Sequence, residues 1–313
     1  MLDKDNILIA GGTGLIGSAC IKRLKERGFE NILYPLKKEL DYSDYENFLD
    51  YCLSNKIKYM IFAAGKVGGI VDNKKNQIDY LFNNTILGIN ALKVALNAEL
   101  KKVVLFGSSC MYPLNAKQPY VEKDLLTGSL EKTSLGYAVA KLVAMQGAYL
   151  INTNSLVKTT LIPIIPNSTF GPNDNFNPDT SHVLSAIIRK VDDAKRNKTS
   201  ILKLLGTGLP KREFVYSEDV ADAIIFLLKN IEGIINYPIN IGSGNELTIK
   251  DLSKIISKII GYEGKIVFDA KTPDGAMRKM LDSSVINKMG WNSKTSLLDG
   301  ITKTYAWYTK NRG

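Results

Sequence analysis

Tyr137 and Lys141, in Tyr-Ala-Val-Ala-Lys, are the residues of this chain best spaced to move a proton. On a helix, that four-residue spacing puts phenol and ammonium on one face. A phenol ordinarily titrates near 10. A neighbouring cation favours phenolate, so Tyr137 is expected to fall toward neutrality and serve as proton donor or acceptor. Ser108, Ser109 and Cys110 follow the apolar run Val103–Phe106, where a buried strand should end. In open α/β sheets that edge is where ligands bind, and a hydroxyl from Ser108 or Ser109 can hold a substrate oxygen against the phenol. Tyr34 and Lys38 repeat the spacing, but Pro35 follows the tyrosine and the stretch reads as a strand end, so that copy is structural.

The elements that must position these groups read clearly in the first half. An apolar strand, Asn6–Ala10, runs into Gly11, Gly14 and Gly17 and then into an amphipathic helix closed by Gly28. Glycines there permit a tight turn and let a pyrophosphate sit on the helix N-terminus. The second strand, Asn31–Tyr34, ends in Pro-Leu-Lys-Lys. An acid at that place binds the ribose hydroxyls of NAD, whereas a basic group accommodates the 2′-phosphate of NADP. Lys37 and Lys38 therefore point to NADPH, the other reading being ordinary loop lysines, and Asp41 is placed to reach the adenine end. A third strand, Lys58–Ala63, ends in small residues, Ala63 and Ala64, that leave room for a cofactor across the sheet.

A helical pattern over Gln77–Glu99, the strand before Ser108, the Tyr137 helix and a strand over Thr159–Ile164 continue the alternation. The stretch PNSTFGPNDNFNP that follows reads as a loop. The fold class is thus α/β, a Rossmann-type doubly wound parallel sheet with a smaller C-terminal α/β substrate lobe. Later pieces are a helix over Ser181–Arg196 with the sole histidine, His182, near its start, a strand Ile201–Leu205 and a helix Ser217–Lys229. A strand ending in NIGSG, a helix Thr248–Ile260, a strand near Lys265–Phe268 and two closing helical segments complete the chain. Residues 1–167 with about 215–242 are expected to form the dinucleotide-binding domain, and about 168–214 with 243–313 the lobe.

Composition narrows the function classes. The 313 residues, 45% hydrophobic and 23% charged, suit a globular protein with a sizeable core. No apolar run looks long enough to span a bilayer, the N-terminus enters a strand directly, and a cytoplasmic setting is expected. Three scattered cysteines predict neither a disulfide framework nor a metal site. The formal charge of +10 suggests anionic partners, and its scatter favours phosphorylated small molecules over nucleic acid.

Together these residues resemble an extended short-chain dehydrogenase/reductase, of the branch that holds the GDP-L-fucose synthases. The resemblance runs nearly end to end: GxxGLxGSA from Gly11, AAxKVGGI from Ala63, GSSCxYP from Gly107, QPxxExxLLTGxLExT from Gln118, YAxAK from Tyr137, GPNDNFxPxxSHV from Gly171, GxGxPxREF from Gly206 and PDGxxRKxLD from Pro273. It implies a 3,5-epimerase/4-ketoreductase that turns GDP-4-keto-6-deoxymannose into GDP-L-fucose, feeding polysaccharide assembly. Ser108, Tyr137 and Lys141 would be the reductase triad, and Cys110 and His182 the epimerase acid/base pair. Gly11, Thr13, Gly14, Leu15, Gly17, Lys37, Lys38, Asp41, Ala63, Ala64 and Lys141 would hold NADPH. Ser109, Asn167, Lys190, Arg212, Asp274, Arg278 and Lys279 would hold the GDP-sugar, and a homodimer is implied.

Departures from the family pattern keep alternatives open. Gly12-Thr13 stands where the family often has His-Arg or His-Lys, so NAD remains the lesser alternative. Leu205 replaces a usual tryptophan, and Val71-Asp72-Asn73 and Pro166–Pro172 differ beside the sugar. A C4 reductase without epimerisation, acting on a deoxyheptose or colitose precursor, is one rival. A non-catalytic dinucleotide-binding regulator on the same fold is another.

Overall fold

The computed structural model describes residues 4–312 apart from Ile234, Asn236 and Pro273, so the first residue of the PDGxxRK motif lies outside the described residues. The first half alternates β1 (Asn6–Ala10), α1 (Leu15–Glu26), β2 (Ile32–Leu33), α2 (Tyr45–Ser54), β3 (Ile57–Phe62), α3 (Ile70–Lys75), α4 (Gln77–Asn97), β4 (Lys102–Phe106), α5 (Leu135–Thr153) and β5 (Thr160–Pro166). The second half runs β6 (Ser168–Phe170), α6 (Val183–Arg196), β7 (Ile201–Leu205), β8 (Lys211–Tyr216), α7 (Ser217–Asn230), β9 (Ile239–Ile241), β10 (Glu246–Thr248) and α8 (Ile249–Ile260). It closes with β11 (Lys265–Asp269), β12 (Arg278–Lys279), α9 (Ser284–Lys288) and α10 (Leu297–Asn311).

Six strands form one parallel sheet in the order β2-β1-β3-β4-β5-β9. Its central strands are continuously apolar because both faces are covered. On one face α1 and α7 pack around Cys20, Leu24, Val220 and Ile224; on the other α2, α4 and α5 pack around Phe48, Ala91, Val94 and Met145. Small residues bring α4 and α5 close: a Cβ on Gly136 would lie 2.2 Å from the Gln77 carbonyl oxygen, and one on Gly147 2.4 Å from Leu92. That approach fixes the helix carrying Tyr137 and Lys141. The chain leaves β1 toward β2 on one side and returns to β3 on the other, so the crevice between β1 and β3 is the topological switch point.

Four expectations are corrected. The loop expected over PNSTFGPNDNFNP contains β6, which pairs in parallel with β8 and buries Phe170. Its partner β8 and the neighbouring β12 come from the GxGxPxREF and PDGxxRK stretches and β10 from Glu246–Thr248, where no strand was expected, and they make a second sheet in the order β10-β8-β12. Helix α2, over the polar YENFLDYCLS, was also unexpected; Asp44 caps it by accepting from Asn47 N at 3.2 Å. Finally, the segment Lys132–Asn152 is long and apolar enough to cross a membrane, with 44% of its most apolar window buried in the core. Lys141 and Gln146 interrupt its apolar residues along the sequence.

A third core, around Leu184, Ile188, Leu252 and Ile256, lies among α6, α8 and β8, in the stretches assigned to the lobe. Ile286 and Trp291 instead pack with α7 and the main sheet.

Candidate active site

The glycine turn is built by close approach. Gly11 has φ +78°, a region that favours glycine, and a Cβ there would lie 2.9 Å from the Ala63 carbonyl carbon and the Ala64 nitrogen. A Cβ on Gly17 would lie 2.1 Å from the Gly11 oxygen. Gly14 differs, since a Cβ there would meet nothing nearer than that oxygen at 3.4 Å. Helix α1 has no side-chain cap and no acid in its first turn. Its first N–H groups are thus unpaired within the helix and face an uncrowded turn, which fits a pyrophosphate. Thr13 and Leu15 flank this turn, and the loop after β6 reaches it through Asn173 Nδ2, which donates to Ser18 Oγ at 3.1 Å.

Lys37 and Lys38 lie exposed beyond β2, at the sheet edge next to β1. Asp41 is spent on its own turn: it accepts from Ser43 N at 2.9 Å and Ser43 Oγ at 2.7 Å, and these bonds hold its carboxyl below the ordinary range. Ala63 and Ala64 end β3 against Gly11, as small residues at that edge must.

Tyr137 and Lys141 occupy successive turns of α5, with Lys141 Nζ 5.8 Å from the Tyr137 ring centroid. Ser108 leaves β4 in extended conformation and its Oγ accepts from Cys110 N at 3.3 Å. The expected fall of the Tyr137 phenol is corrected. Burial first, then Cys110 and Tyr80, push it above its ordinary value, with the Ser108 hydroxyl opposing them. The same enclosure pushes Lys141 down to about 8. Lys141 approaches the ring rather than compensating the hydroxyl, so desolvation wins.

Cys110 lies in a short turn over Ser109–Met111 and alone among the cysteines keeps partial exposure; Cys20 and Cys52 are buried, with thiols pushed up by burial. Strand β12 brings Lys279 beside Arg212 on β8. Lys279 Nζ meets Glu131 Oε2 at 2.8 Å. Burial acts to lower Lys279, yet Cys110 and Glu131 outweigh it and hold the ammonium above its ordinary value. Burial depresses Arg212 in turn, against Glu131, Tyr120, Asp274 and Cys110. Cys110, Arg212, Lys279 and Glu131 therefore form one enclosed cluster.

The other expected substrate contacts are placed differently. Arg278 is one residue from Lys279 on a strand and so points to the opposite face, where it pairs with Glu246 at 2.7 Å. Asn167 is buried; it donates to Glu213 and accepts from Ser168 N at 2.9 Å. Asp274 accepts from Thr207 N at 2.9 Å and Thr207 Oγ1 at 2.6 Å, which ties down the GTG loop. Lys190 is half-buried on α6 and pushed down by burial, then by Arg189. Ser109 remains half-buried beside Cys110.

His182 is the exposed N-cap residue of α6 rather than a member of the helix. Asp174 lies against the same first turn, accepting from Ser185 Oγ. Burial raises the Asp174 carboxyl, with Ser185 and then His182 opposing. The segment after β3 links this region to Lys141: Gly69 N donates to Thr180 O at 2.9 Å, and a Cβ on Gly65 would lie 3.7 Å from Lys141 Nζ.

Three further residues shape the site and were missed by sequence reasoning. Asn84 clamps Lys66 from both sides, accepting from its N–H at 3.0 Å and donating to its carbonyl at 3.1 Å. Glu131 lay within the quoted LExT motif, the one signal that pointed to it. Glu213, fully buried, accepts from Asn167 Nδ2, from Gly244 N at 2.7 Å and from Leu281 N at 3.2 Å, joining β8 to the ends of β5, β9 and β12.

Residues 7–242 match the model of the NAD dependent epimerase/dehydratase family. The chain is 41% identical to GDP-L-fucose synthase 1 of Arabidopsis thaliana, covering 99% of this chain and 95% of the relative. It is 35% identical to a GDP-L-colitose synthase of Yersinia pseudotuberculosis over 98% of each. A GDP-mannoheptose C4 reductase from Campylobacter jejuni, solved with NADP bound, superposes with a TM-score of 0.89 at 30% identity, covering 99% of both chains.

Proposed function

The chain belongs to the NAD dependent epimerase/dehydratase family, and from that premise we propose that it is an NADPH-dependent 3,5-epimerase/4-ketoreductase making GDP-L-fucose or a close analogue from GDP-4-keto-6-deoxymannose. The observation that carries this reading is that Ser108 and Cys110, joined by a hydrogen bond at the end of β4, both act on the buried Tyr137 phenol, with Lys141 Nζ 5.8 Å from its ring centroid and Lys279 paired in register with Arg212.

NADPH, when bound, supplies the hydride. Its pyrophosphate is assigned to the α1 N-terminus between Gly11, Thr13, Gly14, Leu15 and Gly17, and its nicotinamide ribose to Lys141. Lys37 and Lys38 are assigned to the 2′-phosphate. Burial keeps the Tyr137 phenol protonated at neutral pH, which suits donation to the C4 oxygen during reduction. Ser108 orients that oxygen. The C4 carbonyl acidifies the hydrogens on C3 and C5; Cys110 takes a proton from one face and His182 returns one to the other, inverting each centre. Arg212, Lys279 and Lys190 bind the diphosphate, Arg212 as a two-pronged donor. Ser109 is assigned to the sugar. Asn167 and Asp274 act through the loops they tie down, and Arg278 through Glu246.

Tyr137→Phe should abolish NADPH oxidation without weakening NADPH binding, and Cys110→Ser should block proton exchange at C3 and C5. Full turnover in Tyr137→Phe would overturn the reading. The likeness to the Campylobacter GDP-mannoheptose C4 reductase favours one rival, reduction without exchange at C3 and C5.

We further propose a cytoplasmic homodimer of two-lobed subunits, divided as the sequence suggests except that the stretch around Ile286 and Trp291 goes with the main sheet. Ile78, Phe82, Ile86 and Ile89 on α4 and Leu135, Val139, Val143 and Leu150 on α5 are exposed, Ile78 by 69% and Phe82 by 61%. They lie on two helices packed side by side, and a second copy of that face would bury both stripes. Sedimentation of Phe82→Glu as a monomer is the expected result; an unchanged dimer would refute this surface.

A further inference from the structure

Between the Tyr137 helix and the His182 loop lies a strap, Gly65–Gly69, held at three points. Asn84 clamps Lys66 at the end beside Lys141. At the other end Gly69 N bonds Thr180 O, and a Cβ on Gly69 would lie 2.7 Å from the Ser181 oxygen, the residue before His182. In the middle, Asn73 Nδ2 donates to Gly68 O at 2.7 Å, and a Cβ on Gly68 would strike both the Tyr80 hydroxyl at 2.3 Å and Asp72 at 2.7 Å.

Tyr80 is fully buried, and its hydroxyl donates to Asp72 Oδ2. Asn76 Nδ2 fixes the other Asp72 oxygen at 2.7 Å. The Tyr80 ring stands edge-on to Tyr137, centroids 5.9 Å apart at 86°. An edge-to-face aromatic pair has a preferred geometry and resists ring rotation. A charged acceptor makes the bond that holds Tyr80 stronger than a neutral one.

We propose that Asp72 and Tyr80 are positioning residues for Tyr137, and that through the strap they set the reductase phenol relative to the His182 loop. This rests on the epimerase/reductase reading above. The acid, on α3, fixes the ring; the ring fixes the phenol; the strap ties both to the turn before His182. Neither residue meets the sugar in this account. Loosening them misplaces Tyr137 first, because Tyr80 meets its ring directly, whereas His182 is reached only through the strap and Cys110 keeps its own turn after β4, so proton exchange survives better than hydride transfer.

The test runs wild type, Tyr80→Phe, Asp72→Ala and Asp72→Asn with GDP-4-keto-6-deoxymannose and NADPH in heavy water. NADPH oxidation and deuterium entry are followed together. Tyr80→Phe and Asp72→Ala should slow oxidation about tenfold, which corresponds to ~1.4 kcal/mol of transition-state misplacement. The NADPH Kd should be unchanged, and deuterium incorporated per NADPH consumed should rise. Asp72→Asn keeps an acceptor oxygen and should recover most of the rate. Wild-type rates in Tyr80→Phe and Asp72→Ala, or equal losses of exchange and oxidation, would overturn the proposal. Wild-type enzyme that consumes no NADPH would instead refute the underlying reading.

Discussion

Lys279 Nζ rests 2.8 Å from Glu131 Oε2, and the pair, both largely buried, adjoins Cys110 and Arg212. Thr133 Oγ1 steadies the same carboxylate at 2.7 Å. This ion pair places a fixed cation next to the one partly exposed thiol.

Iodoacetamide at neutral pH should label Cys110 ahead of the other two cysteines, because it alone keeps partial exposure. Cys20 and Cys52, buried, should stay unlabelled in the folded protein. Label entering Cys20 or Cys52 of the folded protein before Cys110 would contradict this order of exposure.

Lys141 gives a pH prediction with a definite sign. Its folded value is lowered to about 8 from 10.5 by burial. Below about 8 it is charged both folded and unfolded, so the cost of enclosing the ammonium is fully present. As pH rises from about 8 toward 10.5 the folded state gives up its proton first and the cost is relieved. Lys141→Met should thus be inactive yet more stable at pH 7, by at most about 3 kcal/mol, with the difference shrinking above pH 8. Wild-type activity should fall as pH climbs through about 8. Denaturant melts and a pH–rate profile check both.

The glycine turn separates folding from binding. Gly17→Ala drives a Cβ to 2.1 Å from the Gly11 oxygen and should unfold the turn. Gly14 has φ −82°, which alanine adopts freely, and a Cβ there would meet the Gly11 oxygen only at 3.4 Å. Gly14→Ala should melt like wild type and lose about tenfold or more in NADPH affinity, as judged by fluorescence titration. Equal affinity would move the pyrophosphate elsewhere.

Glu213 is a structural keystone. Glu213→Gln replaces one acceptor oxygen by a donor that faces other donors. That should cost ~1–3 kcal/mol, seen as a Tm drop of several degrees. A variant as stable as wild type would show that the network carries no net stability.

The parts of the site read from sequence are those built by local geometry. Gly11 to Gly17 follow a strand directly, and Tyr137 and Lys141 share a helix face, so spacing alone reveals them. Glu213, Asn84 and Glu131 act on backbone or side chains far along the chain, and nothing in their own neighbourhoods marks those partners. The second sheet was hidden for the same reason: β8 is a strand because β6, β10 and β12 arrive beside it, not because KREFVY alternates cleanly. The Tyr137 phenol went the other way from the sequence expectation because four-residue spacing reports proximity to Lys141 but not enclosure.

Incubating the enzyme with GDP-4-keto-6-deoxymannose and NADPH in heavy water, and locating deuterium by NMR and mass, separates epimerisation with reduction from reduction alone. Stoichiometric NADPH oxidation is expected, with deuterium at C3 and C5 of a fucose-type product. Oxidation without deuterium would contradict the epimerase assignment of Cys110 and His182, and no oxidation of NADPH would contradict the proposed substrate.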